Sequence, residues 1–303
     1  MPTKTKKPVR PELILGIIAA ICAIVFAAMI LLCIPYFSPE DSPAIESPGH
    51  EDPLSLRQTE LPPEIPEDSE LAMLQTPPPP LPNPYEKTDF QYDGLFLKNL
   101  YAHSRVGIDV SAHQGKLDWQ KVKEAGVEFA FIRVGYRGYG QAGKLVADEY
   151  APANLKGARE AGLDVGVYFF SQAINTDEAA EEAKMLLDLI KGYDINLPVV
   201  YDWETVFAED ARTNNMQARG VTDCALTFCQ IIEEAGYTPM VYFNTYQSLN
   251  LMHLEELKQY EFWLAWYSDL MRYPYQVRMW QYTDSGRIPG IDTNVDLNVY
   301  MTE

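Results

Sequence analysis

Asp202 and Glu204 stand one residue apart in Leu197-Pro198-Val199-Val200-Tyr201-Asp202-Trp203-Glu204. The apolar run opened by Pro198 reads as a buried strand. Side chains alternate along a strand, so Val200, Asp202 and Glu204 share one face. Two acids side by side at the end of a buried strand repel, and one keeps its proton to unusually high pH. Glycoside hydrolysis uses such a pair: one carboxyl protonates the leaving oxygen while another stays ionised. The alternative is structural, with one acid capping a helix or pairing with an arginine.

The elements that must position this pair alternate along the chain. Candidate strands are 106–110, 129–134, 164–170, 198–201, 240–243, 262–265, 277–281 and 295–297. Candidate helices are 119–125, 151–161, 177–191, 222–235 and 254–259. Asp118 and Thr176 stand where N-caps belong, and Gly126, Gly162, Gly192 and Gly236 follow four of the helices. Strands interleaved with helices predict an α/β fold: a modified (β/α) barrel of about eight strands, with incomplete helices late in the order.

Barrel enzymes keep their chemistry at the C-terminal ends of the strands. The polar residues expected there include Asp109, Tyr136, Tyr168, Asp202, Glu204, Tyr242, Trp266, Gln281 and Asp296. Four acids and several aromatics would then converge on one mouth. Such a cleft suits a polysaccharide, because aromatic faces pack on sugar rings. Tyr168, Tyr242 and Trp266 also fit an ordinary core. No His/Asp set has metal-ligand spacing, so no metal or cofactor is expected. His113 lies in the turn after the first strand, and Asp118 reads as a helix cap.

The segment Gly107-Ile108-Asp109-Val110-Ser111-Ala112-His113-Gln114-Gly115-Lys116-Leu117-Asp118-Trp119 resembles the opening motif of the glycoside hydrolase family 25 lysozymes. Phe131-Ile132-Arg133-Val134-Gly135-Tyr136, Val167-Tyr168-Phe169-Phe170, Asp202-Trp203-Glu204, Trp280-Gln281-Tyr282 and Val295-Asp296-Leu297-Asn298 continue the resemblance in order, over about residues 104–300. It implies a flattened β/α barrel that cleaves the β-1,4 bond between N-acetylmuramic acid and N-acetylglucosamine in peptidoglycan. It implies Glu204 as general acid and Asp202 as stabiliser of charge on the reacting sugar or its acetamido group. Asp109 and Asp296 would tune the site and hold substrate. Tyr136, Tyr168, Tyr242, Trp266 and Gln281 are the expected substrate contacts. Two nucleophiles stay open: a protein carboxylate and the substrate's own N-acetyl oxygen.

The ends of the chain differ from its middle. Residues 1–12 form a basic tail, and 13–36 hold the apolar run Leu13–Ile34, about the length of a membrane-crossing helix. Basic residues before the run place the N-terminus in the cytoplasm and the folded domain outside. An uncleaved single-pass signal anchor in the cell membrane is expected, with a cleaved signal peptide as the alternative. Residues 37–85 read as a disordered linker: 13 of the 22 prolines fall between Ser38 and Tyr85, with ten acids against Arg57 alone. The folded domain is assigned to 86–303, its strands beginning past Tyr101. With a net charge of −19, the chain excludes nucleic acid as a partner. Cys224 and Cys229 read as buried apolar residues, not a disulfide. A monomer is expected. The competing functions are a chitinase-like hydrolase and a wall-binding protein that no longer cleaves.

Overall fold

The described chain opens with a hairpin, β1 (Phe90–Asp93) and β2 (Phe96–Asn99), turned at Gly94 with φ 66°. This computed structural model describes residues 80–86, 88–206 and 208–302. The apolar run at 13–36 and most of the segment read as linker lie outside the described residues. Among the described residues no helix is long and apolar enough to cross a membrane.

After the hairpin come β3 (Ser104–Val110), α1 (Trp119–Glu124), β4 (Phe129–Arg137), β5 (Leu145–Ala147), α2 (Ala151–Glu160) and β6 (Asp164–Ser171). Then follow α3 (Thr176–Leu189), β7 (Val199–Trp203), α4 (Ala218–Glu234), β8 (Pro239–Asn244), α5 (Thr245–Asn250) and α6 (Leu254–Leu257). The last three elements are β9 (Glu261–Ala265), β10 (Met279–Gly286) and β11 (Val295–Met301). The sheet runs β3-β11-β10-β9-β8-β7-β6-β4-β5, and pairing of β3 with β4 closes eight of these strands into a barrel. All eight expected strands are present.

The barrel departs from regular (β/α) alternation in one direction. β11 pairs antiparallel with both β10 and β3, whereas the other barrel pairs are parallel. Only residues 287–294 join β10 to β11, too few for a parallel crossover. Helices accompany β3 to β8, and none follows β9. The β1–β2 hairpin covers part of the wall left bare: β2 lies against β3 and β11. Phe90 sits edge-on to Trp280 at 5.1 Å, and the Leu97 N–H donates to the Tyr282 hydroxyl. Phe90, Phe96 and Leu97 are buried, at roughly 1.5–3 kcal/mol per large apolar side chain.

Four local expectations need correction. Residues before 101 belong to the fold. Pro82 bridges to Tyr275, and the Gln276 N–H donates to the Leu81 carbonyl, so the end of the segment read as linker is part of the fold. Asn175, not Thr176, caps α3, accepting from the Glu178 N–H. α4 begins at Ala218, before the expected Thr222. α5 was not expected; its capping box pairs Asn244 with Gln247. Asp118 does cap α1, and Gly126, Gly162, Gly192 and Gly236 all take positive φ, the conformation glycine adopts cheaply at a helix C-terminus.

Inside the barrel, Phe129, Phe131, Val200, Met240, Trp263, Met279 and Tyr300 form one cluster. A Cβ at Gly107 would lie 2.3 Å from the Phe129 ring, and one at Gly166 would lie 2.3 Å from the Phe131 ring. Those two positions are glycine because large rings fill the space a side chain would take. Trp263 is the hub, with Phe131 at 5.1 Å, Tyr242 at 5.0 Å and Tyr168 at 6.3 Å. This apolar plug is the floor on which the polar residues stand.

Candidate active site

Alternation along each strand lifts one or two polar side chains above the plug. β7 presents Val200 to the plug, then Asp202, which is buried, and Glu204 just past its end. β3 presents Asp109, also buried. The register pairs Asp109 with Asp296. Asp296 stands second in β11, and it reaches the same mouth because β11 runs backwards. The four expected acids therefore converge at the C-terminal end of the barrel.

A buried amide frame orients Asp109. Its Oδ2 accepts from Gln281 Nε2 at 2.9 Å and from Asn298 Nδ2 at 2.8 Å. Each amide is fixed in turn. Asn298 Oδ1 accepts from Trp263 Nε1 at 2.9 Å. Gln281 Oε1 accepts from the Tyr242 hydroxyl at 3.0 Å and the Tyr267 hydroxyl at 3.2 Å. Gln281 thus ties β8, β10 and the loop after β9 to the acid on β3.

Burial shifts every acid of the set upward. Asp202 is pushed well above the carboxylate range, by burial first and then by Glu204 and Asp109; Arg133 opposes the rise. Glu204 is raised to about 7 by burial and Asp109, with the hydrogen bond to Asp202 opposing. Burial raises Asp109 to about 6 against its two amide donors. Asp296 rises to about 9 through burial, Asp109 and Asp284. The Asp202–Glu204 pair consequently holds a proton at neutral pH. An acid able to donate stands near Asp109, which ionises at lower pH than the rest of the set.

The expected substrate contacts divide. Tyr168, Tyr242 and Gln281 border the acids. Tyr136 lies under the Arg133 guanidinium, 5.2 Å from its ring centre, because a bulge between Arg133 and Gly135 changes the phase of β4. Trp266 does not join them. Its side chain packs on the outer core, and its carbonyl accepts from Trp280 Nε1. The neighbouring Tyr267 turns inward instead. Trp263 and Ala265 face the interior, so alternation places 267, not 266, on that face.

Other residues at the mouth were not singled out from sequence. Asn298 lies two positions beyond Asp296 on the same face, so strand period could have found it. Arg133 lies in a quoted motif but carried no role. Asp148 comes from the loop before α2 and has no motif at all. Its Oδ2 accepts from Arg133 Nε at 2.9 Å and from the Ala112 N–H at 2.9 Å, joining β4 to the turn after β3. Exposed His113 donates its backbone N–H to Ser111 Oγ. No cluster of metal-ligating side chains occurs among the described residues.

Paired, proton-sharing carboxylates at the C-terminal mouth of a closed barrel define a glycoside hydrolase. Residues 108–291 match the model of glycosyl hydrolases family 25, and the chain belongs to that family. Its similarity to YegX, an uncharacterized protein of Escherichia coli, is 28% identity over 208 residues, covering 64% of this chain and 68% of that protein. The autolytic lysozyme of Clostridium acetobutylicum is 26% identical over 196 residues, covering 64% and 55%. The modular autolysin LytC of Streptococcus pneumoniae, solved in complex with a synthetic peptidoglycan ligand, superposes with a TM-score of 0.59 at 26% identity. That match covers 65% of this chain and 47% of LytC, so this chain spans about half the length of that relative.

Proposed function

We propose that this protein is a lysozyme, hydrolysing the β-1,4 bond between N-acetylmuramic acid and N-acetylglucosamine in peptidoglycan. The observation that carries the reading is the Asp202–Glu204 pair on one face of β7, Asp202 buried and Glu204 half-buried, with Asp109 and Asp296 paired in register on the neighbouring strands β3 and β11. Glu204 donates its proton to the glycosidic oxygen as the bond breaks. Asp202 stabilises positive charge on the reacting sugar or its acetamido group. Asp109, held by Gln281 and Asn298, and Asp296 tune that charge and hold substrate. Tyr136, Tyr168, Tyr242 and Tyr267 offer ring faces and hydroxyls to the sugars. The lysozyme named among the relatives and the peptidoglycan ligand of LytC support this substrate.

The bond cut is testable directly. Purified peptidoglycan is digested, reduced with borohydride and analysed by mass spectrometry. The expected product carries reduced N-acetylmuramic acid. Reduced N-acetylglucosamine ends, or equal activity on chitin, would replace this reading with a chitinase-like one.

We further propose that Leu13–Ile34 anchors the protein in the cell membrane, with the barrel outside and the Pro/acid-rich segment as spacer. The support is the length of the apolar run and the basic residues before it. The domain over residues 86–303 is acidic, and a tether offsets its repulsion from an anionic wall by raising local concentration. Washed membranes should keep the protein through high salt and alkaline carbonate and release it to detergent. Release by salt or carbonate would rule out the anchor.

A further inference from the structure

The β-ladder around β7 stops just short of the proposed proton donor. Its last pairs are Ser171 with Trp203 on one side and Asp202 with Tyr242 on the other. Beyond that point the Trp203 and Glu204 carbonyls have no strand to bond. A buried carbonyl without a donor is costly. Two glutamine side chains fill the gap. Gln172 Nε2 donates to the Glu204 carbonyl at 2.7 Å, and Gln247 Nε2 donates to the Trp203 carbonyl at 3.0 Å. Both glutamines are fully buried. They reach β7 from opposite sides, Gln172 from the end of β6 and Gln247 from α5 after β8.

Each amide is itself oriented. Gln172 Oε1 accepts from Thr213 Oγ1 at 3.0 Å. Gln247 Oε1 accepts from the Asn244 N–H at 2.8 Å. Only a neutral amide both donates to the carbonyl and accepts from the group behind it. A glutamate there would lose the donor and add a charge beside an acid cluster. We infer that Gln172 and Gln247 are positioning residues, clamping consecutive carbonyls at the end of β7 so that the Glu204 carboxyl is held against Asp202. This inference rests on the reading of Glu204 as proton donor. It adds that the donor's geometry is set from behind, by residues that never touch substrate.

The test uses the full chain and purified peptidoglycan, with Gln172→Leu, Gln172→Glu and Gln247→Leu. Loosening the clamp misplaces the donor by a fraction of an ångström to an ångström, which costs roughly 10- to 100-fold in rate. The expected result is that fall in kcat with KM within about twofold, since binding groups are untouched. The alkaline limb of the pH profile should move to higher pH, because Glu204 loses the contact with Asp202 that opposes its rise. Gln172→Glu should behave like Gln172→Leu despite its matching shape. If these variants do not fold, Thr213→Val frees the Gln172 amide without altering β7 and should give the same, smaller changes. Titration of the Glu204 carboxyl by 13C NMR in the free protein reads the clamp without any turnover. An inactive wild type, or an undiminished Glu204→Gln, would overturn the lysozyme reading while that titration still judges the clamp. Folded Gln172 variants with unchanged kcat, pH limb and Glu204 titration would overturn the inference itself.

Discussion

Replacing Glu204 by glutamine should lower kcat/KM on peptidoglycan by at least about 10²-fold, the usual scale for losing a general acid. The amide keeps the shape and removes the proton. The wild type should lose activity as pH rises through about 7, where Glu204 gives up its proton. The variant should lack that limb. The same substitution should raise stability. Folding raises Glu204 to about 7 and Asp109 to about 6, both above ordinary unfolded values. The folded state therefore binds more protons than the unfolded one. Stability present below the unfolded pKa is lost as pH rises through 6 to 7. Glu204→Gln removes one of these burdens, so its melting temperature should exceed that of the wild type above neutral pH. Asp202→Asn should also lower turnover while the circular dichroism spectrum stays unchanged. A Glu204→Gln enzyme with near-wild-type turnover would remove Glu204 from the role of donor.

The acids of β7 were legible because strand alternation is local. Pro198-Val199-Val200 marks a buried strand, and period two puts Asp202 and Glu204 on one face whatever the rest of the chain does. The same rule, counted from Trp263, selects Tyr267 over Trp266. The hairpin β1–β2 also had a signal: Asp93-Gly94 between Phe90-Gln91-Tyr92 and Leu95-Phe96-Leu97 is a turn dipeptide between apolar runs.

Strand direction was harder to read. Hydrophobic alternation is the same in either sense, so Val295-Asp296-Leu297 gave no hint that β11 runs backwards. The short connection before it did, since eight residues cannot carry a parallel crossover. The direction matters for function, because only an antiparallel β11 brings its second residue to the mouth. The partners of the site could not be read at all. Gln172, Gln247 and Asp148 sit 32, 44 and 15 positions from the groups they hold, and no local pattern connects them.

Arg133 shows what such a long-range partner contributes, and its removal should have the largest effect on stability. Asp148 Oδ2 receives both Nε and Nη2 of Arg133 at 2.9 Å. The Asp148 side chain is 0% exposed and that of Arg133 is 13% exposed, so solvent screens little of the pair. Arg133→Met leaves a buried carboxylate with only the Ala112 and Tyr150 N–H groups as donors. Breaking a buried pair by removing one partner costs about 3–5 kcal/mol, or on the order of 10 °C in melting temperature for a domain of this size. Replacing both partners, as Arg133→Met with Asp148→Asn, should recover much of that loss, because no unpaired charge remains. Activity should not recover with it. Arg133 is the cation that opposes the rise of Asp202, and without it Asp202 holds its proton more tightly and stabilises less positive charge on the sugar. A double variant that melts like the wild type and yet turns over slowly would separate the two roles of this arginine. One that regains full turnover would reduce Arg133 to a brace between β4 and the turn after β3.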